Sequence, residues 1–209
     1  PVQAPEVWAA GVTYKVSREA RLKEAETGSA TFYSDVYTAE RPELFLKDAG
    51  CRRTVPSGGT VGVRGDSVRS VPEPELALIL NSDGHICGFT VGNDVTARDI
   101  EAVNPLYLTQ AKIFSGSCSL GPVALIVDGP APDFEIHLRI MDREGRTSFE
   151  AGTSVLEMKR DYEELVAFLV RFNLIDDGTV LLTGTGIVPP DEFGLQAGDT
   201  IEIEISNIG

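Results

Sequence analysis

The sequence predicts an α+β domain dominated by antiparallel strands, with few helices. Short runs rich in aliphatic and β-branched residues are separated by frequent turn signals such as SGGT, NSDG and QAGD. Three segments show helical spacing or capping residues, and they do not alternate with strands as they would in a βαβ fold. The chain has 209 residues, 42% of them hydrophobic, which is enough to bury the core of one domain.

Six runs are predicted to be strands. Their composition is typical of sheets, and each is bounded by turn residues. The run at 200–205 alternates isoleucine with threonine or glutamate, which predicts a half-buried edge strand with its glutamates in solvent. The six runs are LALIL, ICGFTV, VALIV, FEIHLRIM, TVLLTG and TIEIEI.

The strongest predicted helix spans about residues 161–172, where apolar residues recur at helical spacing after Asp161, a suitable N-cap. A second is predicted to start at Asn104 and Pro105 and to end near the glycine of FSGS. The third, SREARLKEAET, is predicted to be capped at Ser17 and has almost no apolar stripe. It is either an exposed surface helix or a mobile lid, and its charge pattern favours the surface helix.

The formal net charge of −14 argues against binding to nucleic acid or to anionic membranes. A small anionic substrate would also be repelled, unless a metal ion or local Lys and Arg side chains reverse the field. Cys51, Cys87 and Cys118 have no paired spacing, so we expect reduced thiols in a cytoplasmic protein, with Cys118 a small buried residue. No apolar run reaches the roughly 18 residues of a membrane helix.

Two carboxylates stand one residue apart at the start of an aliphatic run, in VPEPELALIL. Glu73 and Glu75 are predicted to share one face of a strand, and Asp94 follows the next strand after a predicted turn at 92–93. Three carboxylates form an all-oxygen donor set that suits Mg²⁺, Mn²⁺ or Ca²⁺ better than zinc. The alternative is that Glu73 and Glu75 are surface acids.

Four segments together resemble the fumarylacetoacetate hydrolase family, in its order and spacing over nearly the whole chain: PEPELALIL, GFTVGNDVTARDIE, QAKIFSGSCSLGP and LLTGTGIVPP. The resemblance implies that Glu73, Glu75 and Asp94 bind a divalent cation. It also implies that Lys112 reaches the same site and that Thr185 helps to hold the carboxylate of a substrate.

The same resemblance implies the family's fold, a mixed β-roll or partly open barrel, and a homodimer. We expect one catalytic domain over residues 1–209. The abrupt start and stop of the sequence are also consistent with a piece trimmed from a longer chain with an N-terminal domain.

Within the family, VTYKVSREAR, AERPELFLK, DIEAVNPLYL and TGTGIVPPDEF resemble the 2-keto-3-deoxy-pentonate dehydratases, of the 2-dehydro-3-deoxy-D-arabinonate type. Hydrolytic members carry an H-x-x-E pair on a mobile lid, whereas the corresponding YKVSREAR has no histidine. TGTGIV likewise stands where hydrolases have TGTPxG. The resemblance therefore implies dehydration of a small anionic 2-oxo acid, a 2-keto-3-deoxy sugar acid, to 2,5-dioxopentanoate.

Such a reaction needs a base for a C3 proton and an acid for the C4 hydroxyl, beside a cation that stabilises the enolate. Lys112 is one candidate base, provided that the metal and burial lower its pKa. Glu19 on the lid segment or Glu43 in RPELF could act at the C4 hydroxyl. The alternative is that Glu19 is a solvated helix residue and Glu43 a surface acid in a turn.

Candidate substrate-binding residues are the cations Arg18 and Lys47, which could offset the charge of the substrate. Arg98 is more simply explained as a partner of Asp99 or of another acid that braces the metal loop. Tyr107 could line the pocket or could be an ordinary core residue on its helix.

Two other functions stay open at the level of the sequence. An acylpyruvate hydrolase or an oxaloacetate decarboxylase could use the same scaffold, although the missing lid histidine counts against hydrolysis. A non-catalytic Ca²⁺-stabilised binding module would keep the acids for structure and would place Lys112 far from the ion.

Overall fold

The computed structural model describes residues 3–24 and 35–209, and sheets dominate that part of the chain. Its strands are β1 (Glu6–Gly11), β2 (Glu43–Ala49), β3 (Thr54–Pro56), β4 (Ser70–Val71), β5 (Pro74–Leu80), β6 (Ile86–Asp94), β7 (Thr96–Ala97), β8 (Cys118–Leu120), β9 (Glu135–Met141), β10 (Thr147–Ser154), β11 (Thr179–Leu182) and β12 (Thr200–Ile205).

The largest sheet has the order β2-β1-β11-β5-β6-β8-β3 and curls into a half-barrel. The pairs β1/β11 and β3/β8 are parallel, and the other neighbours in this sheet are antiparallel. A second sheet has the order β10-β9-β12, and β4 pairs with β7. The predicted α+β class, with a mixed and mostly antiparallel sheet, is confirmed.

Strand β12 lies at an edge, as predicted, with Glu202 and Glu204 exposed. The prediction that VALIV is a strand is wrong. Leu125 exchanges two backbone hydrogen bonds with Phe89, and the segment forms no further bridge. A Cβ atom on Gly88 would lie 2.8 Å from the carbonyl oxygen of Leu125, so the two backbones approach too closely there for ordinary strand pairing.

The helices are α1 (Lys15–Glu24), α2 (Arg98–Val103), α3 (Leu108–Lys112) and α4 (Tyr162–Leu169), with 3₁₀ turns at Pro105–Tyr107 and Val155–Glu157. Residues 35–38 are also helical. None of the helices within the described ranges is long and apolar enough to cross a bilayer.

The predicted helix boundaries need correction. Asp161 caps α4 as predicted, accepting a hydrogen bond from the backbone nitrogen of Glu164 at 2.7 Å, but the helix ends at Leu169 rather than near 172. Asn104 caps only a 3₁₀ turn, because the following helix starts afresh at Leu108. Helix α2 was not predicted.

Helix α1 begins two residues before the predicted cap. Ser17 therefore lies inside its first turn. The last part of the predicted segment, residues 25–27, falls outside the described residues.

The large sheet is buried on both faces, which explains the unbroken apolar run of β5. Leu76, Leu78 and Leu80 pack with residues of β9, whereas Ala77 belongs to a second apolar cluster on the opposite face. Burying one such aliphatic side chain contributes about 1.5–3 kcal/mol to stability. The strand is therefore held firmly in register, which fixes the positions of the residues at its ends.

Opposed residues in antiparallel strands share a face, so register places the polar side chains. Glu75 lies opposite Gly92, and Asp94 follows two residues later on the same face. Across the sheet, Glu43 lies opposite Gly11. These groups stand beyond Ala77 at one end of the sheet, where β5 begins and β6 ends.

The loop after β11 packs tightly against the segment that leads into α1. A Cβ atom on Gly186 would lie 2.7 Å from Cδ1 of Tyr14, whose side chain is 1% exposed. Because the aromatic ring is enclosed, it cannot retreat, and only glycine fits position 186.

We predict that Gly186→Ala lowers the free energy of unfolding by about 1–3 kcal/mol through overpacking. Gly65→Ala is the matched control, since a Cβ atom there meets nothing within 4 Å. Urea denaturation measures both, and equal stability of the two variants would contradict the packing account.

Candidate metal centre

Three buried carboxylates converge at the end of the sheet. Glu73, Glu75 and Asp94 are each at most 3% exposed, and one oxygen from each lies within 4.8 Å of the others. The backbone joins the two strands at this point, because the nitrogen of Asp94 donates to the carbonyl oxygen of Glu73 at 2.9 Å. The predicted convergence of the acids is confirmed, whereas the predicted turn at 92–93 is wrong, since β6 continues through Asp94.

Lysine and arginine side chains fill the space between these acids. The Nζ atom of Lys112, at the end of α3, donates to Oε2 of Glu73 at 2.6 Å and to Oδ2 of Asp94 at 2.7 Å. Lys47 also pairs with Asp94 and donates to the carbonyl oxygen of Val95 at 3.1 Å. The ammonium groups explain how like charges can be packed so closely in the interior.

Arg98 reaches Glu73 from the other side. Its Nε atom lies 3.2 Å from Oε1 of Glu73, and the side chain is fully buried. Asp99 instead accepts from the hydroxyl of Ser67 at 2.5 Å and the backbone nitrogen of Val68 at 2.9 Å. Of the two partners considered for Arg98, the structure therefore shows another acid rather than Asp99.

Glu73 and Glu75 differ in pKa because their surroundings differ. Burial alone would raise the pKa of Glu73, but Lys112, Arg98 and Arg21 outweigh it and hold that pKa below its usual range. Burial and the charge of Asp94 raise the pKa of Glu75. Glu73 is thus a permanent anion, whereas Glu75 gains its charge most readily when a further cation is near.

The pKa of Lys112 is raised. Burial lowers it, but the charges of Asp94 and Glu73 have the larger combined effect. Burial alone therefore does not make Lys112 a base. The lowered pKa that this role requires depends on a second cation that competes for Glu73 and Asp94.

The donor set fits a hard divalent cation. Two oxygens bound to one Mg²⁺ ion at about 2.1 Å each are at most roughly 4.2 Å apart, and the corresponding limit for Ca²⁺ is about 5 Å. The observed 4.8 Å spread needs only a small contraction. Glu75 is already oriented, because its Oε2 atom accepts from the backbone nitrogen of Gly184 at 2.6 Å. A cation bound to Glu73 and Asp94 would take the place of the Lys112 ammonium.

A cavity of about 10 Å³ adjoins the acids, which is space for about one water molecule. Helix α1 covers it, and the buried Ser17 and Arg21 face inward. No molecule much larger than water fits beside the acids while α1 covers the cavity. The lining residues that matter for chemistry are Ser17, Arg21, Glu43, Glu73, Glu75, Glu101, Lys112 and Thr185.

Three predicted site residues outside the acid triad line this cavity, namely Lys112, Glu43 and Thr185. Glu43 is the first residue of β2 and is partly buried, so it is not a surface acid in a turn. Burial raises its pKa, although Arg21 and Lys112 oppose the effect. Its carboxylate packs over Gly11, where a Cβ atom would lie 2.0 Å from Oε2 of Glu43.

Four other predicted residues are not in the lining. Glu19 is exposed on α1 and pairs with Lys15 at 3.6 Å. The guanidinium of Arg18 lies 5.5 Å from the ring centroid of Tyr37. Tyr107 is 42% exposed in a 3₁₀ turn, and Lys47 is fully buried where it braces Asp94.

Arg21, Glu101 and Ser17 line the cavity but were missed from the sequence. Residues four apart lie on the same face of a helix, so Ser17 and Arg21 form a polar stripe on α1. That stripe was visible in SREAR, but a helix with almost no apolar stripe was interpreted as a surface helix in preference to a lid. The sequence alone did not show that the surface facing helix α1 is itself charged.

All three cysteines are free thiols, as predicted. Cys118 is fully buried, and burial raises its pKa to about 12. The thiol therefore stays protonated at neutral pH, which agrees with a packing role.

Residues 7–209 match the family described as fumarylacetoacetate (FAA) hydrolase C-terminal, and the chain belongs to this family. The family and the fold were therefore identified correctly from the sequence.

Two relatives match the whole chain. A protein of Haloferax volcanii named probable 2-keto-3-deoxyxylonate dehydratase is 46% identical over 210 residues, which cover 71% of its length. The 2-dehydro-3-deoxy-D-arabinonate dehydratase of Saccharolobus solfataricus is 46% identical over 213 residues, again 71% of its length. A solved structure of a 2-keto-3-deoxy-D-arabinonate dehydratase with magnesium and 2,5-dioxopentanoate has a TM-score of 0.89 and 44% identity, covering all of this chain and 72% of that one.

We predict that Lys112→Met destabilises the protein by about 3–5 kcal/mol in EDTA, because two buried carboxylates lose their shared cation. Added Mg²⁺ should restore most of this stability, and the gain should exceed that of the wild type. Thermal unfolding with EDTA and with Mg²⁺ measures both effects.

Lys15→Met, at a side chain that is 73% exposed, serves as the control and should behave like the wild type. A Lys112 variant whose stability loss is the same with and without Mg²⁺ would argue against a shared metal and ammonium site.

Proposed function

We propose that the protein is a divalent-cation-dependent hydro-lyase that converts a 2-keto-3-deoxy sugar acid, 2-dehydro-3-deoxy-D-pentonate, to 2,5-dioxopentanoate. The observation that carries the proposal is the buried carboxylate triad, in which Lys112 bridges Glu73 and Asp94. The full length of the chain also matches relatives named as dehydratases of such acids. Mg²⁺ is the proposed ion, as in the related structure, and Mn²⁺ or Ca²⁺ would fit the same oxygen donors.

The charges of the cluster favour an anionic substrate once a cation is bound. Four carboxyl groups and four cations are buried together, so their formal charges cancel in the fully ionised state. A divalent ion would leave an excess of two positive charges, or of one once Lys112 has become a neutral amine. Either excess attracts a 2-oxo acid despite the net charge of −14 on the whole chain. The eight groups are Glu73, Glu75, Asp94, Glu101, Arg21, Lys47, Arg98 and Lys112.

The bound cation would polarise the keto group of the substrate and so stabilise the negative charge that develops when C3 loses a proton. Lys112 is the proposed base for that proton, since its Nζ atom lies between Glu73 and Asp94 at the edge of the cavity. Glu43 is the proposed acid, because a carboxyl group whose pKa is raised keeps a proton to give to the departing C4 hydroxyl. Loss of water and tautomerisation then give the C5 aldehyde.

Glu19 remains a second candidate for the acid that protonates the C4 hydroxyl. The position of Glu43 supports Glu43 instead. Glu43 lines the cavity, whereas Glu19 points away from it on α1. Thr185 also lines the cavity, where it is proposed to hold the carboxylate of the substrate.

We expect the protein with Mg²⁺ to form a semialdehyde from 2-keto-3-deoxypentonates. The test incubates it with these acids, with acylpyruvates and with oxaloacetate, and follows 2,5-dioxopentanoate and pyruvate separately. Release of pyruvate would indicate the hydrolase or decarboxylase activity instead. Binding of Ca²⁺ with no turnover would indicate the binding module, although the 2.6 Å contact of Lys112 with Glu73 is not what that module predicts.

Two carboxylates can be compared directly. We predict that Glu43→Gln lowers kcat by about 10²–10⁴-fold, the usual contribution of a general acid, and that Glu19→Gln lowers it by less than about threefold. Steady-state kinetics with the preferred acid of the panel measures both, and the reverse order would assign the acid to Glu19.

Gly11→Ala provides an independent check, because its Cβ atom would displace the Glu43 carboxylate without removing it. This variant should lose activity while it unfolds near the wild-type temperature.

The chain is further proposed to act as a homodimer in the cytoplasm, as one catalytic domain over residues 1–209. The resemblance to the family and the thiol state of the cysteines support these proposals. Light scattering that gives the mass of a single chain would contradict the dimer.

A further inference from the structure

Helix α1 inserts one guanidinium into the cavity. Arg21 is 6% exposed, pairs through Nη1 with Oε2 of Glu101 on α2, and places Nη2 at 3.5 Å from Oε1 of Glu73. The charge of Arg21 is therefore shared between an acid of the metal triad and an acid outside it.

Few cations have access to the cavity. Among the Lys and Arg side chains of the described ranges, Arg21 and Lys112 line it. Lys47 and Arg98 are fully buried behind the triad, where each pairs with an acid of that triad. Lys112 is committed to proton transfer in the proposed reaction, which leaves Arg21 as the cation that faces a bound substrate.

The contact between Arg21 and Glu73 is longer than the contacts of that carboxylate with Lys112 and Arg98. Nζ of Lys112 lies 2.6 Å and Nε of Arg98 3.2 Å from the Glu73 carboxylate, against 3.5 Å for Nη2 of Arg21, so Arg21 is the cation that Glu73 holds least closely. Arg21 belongs to helix α1, which covers the cavity, whereas Arg98 on α2 is fully buried and is absent from the cavity lining. Arg21 is thus the group that can exchange Glu73 for an incoming anion.

We infer that Arg21 binds the carboxylate of the 2-oxo acid substrate when α1 closes, and that Glu101 is a positioning residue that holds the guanidinium by its other edge. The planar guanidinium matches a carboxylate with two parallel hydrogen bonds, which an ammonium cannot reproduce. This inference rests on the substrate class of the proposed function and gives α1 a recognition role as well as a covering one.

The test is calorimetric titration with pyruvate, a small 2-oxo acid, in the presence of saturating Mg²⁺. Arg21→Gln should weaken pyruvate binding by about 10- to 100-fold, the usual effect of losing a charge-assisted hydrogen bond, and Arg21→Lys should fall between this variant and the wild type. Glu101→Gln should weaken it by a smaller factor. Lys23→Gln removes one charge from an exposed position of the same helix and should change it by less than about twofold.

Titration with Mg²⁺ alone separates recognition from structural support. Because Arg21 competes for Glu73, Arg21→Gln should bind Mg²⁺ at least as tightly as the wild type. A structural role would instead weaken Mg²⁺ and pyruvate binding together and lower the unfolding temperature.

The inference would be overturned if Arg21→Gln bound pyruvate with wild-type affinity, or if it lost equal affinity for Mg²⁺ and for pyruvate. A wild-type protein that binds no pyruvate would overturn it as well. If Arg21→Gln does not fold, Arg21→Lys decides, and wild-type affinity of that variant would overturn it. Arg21-dependent binding of pyruvate by a protein that dehydrates none of the panel acids would support this inference while ending the proposed function.

Discussion

The site depends on one ammonium group buried between two carboxylates. Lys112 neutralises Glu73 and Asp94 at hydrogen-bonding distance, and without it two anions in a medium of low dielectric constant would repel one another strongly. The same arrangement makes the site responsive, because a divalent cation can replace the ammonium at the same oxygens. Replacement would leave the ammonium beside the bound ion, whose positive charge would lower the pKa of Lys112. In the proposed reaction, metal binding would then also activate Lys112 as the base.

The sheet supplies the framework for this exchange. Strands β5 and β6 carry the acids. The apolar cluster that contains Ala77 and Leu182 keeps these strands in register. The cations come instead from the edge strand β2 and from the helices α1, α2 and α3. A set of ligands on one sheet with counter-charges on separate elements suits a site proposed to accept both a metal and an anion.

The sequence predicted the parts of the site that repeat a local pattern. Glu73 and Glu75 follow strand periodicity, and Asp94 ends the next strand, so these acids could be placed before the fold was known. Arg21 and Glu101 could not, because their importance lies in a contact between α1 and α2 that no local pattern encodes. The VALIV run was misassigned for a related reason, since its single bridge to β6 is decided by the close approach at Gly88. Whether Glu43 is a surface acid or a cavity residue was likewise settled by the pairing of β2 with β1.

The most direct test of the central claim is anomalous diffraction from crystals grown with Mn²⁺. The account predicts one strong peak at about 2.1–2.4 Å from a carboxylate oxygen of each of Glu73, Glu75 and Asp94. It also predicts that Nζ of Lys112 withdraws from Glu73 and Asp94 when the ion is bound. A peak elsewhere, or a bound ion with both Lys112 contacts intact, would contradict it.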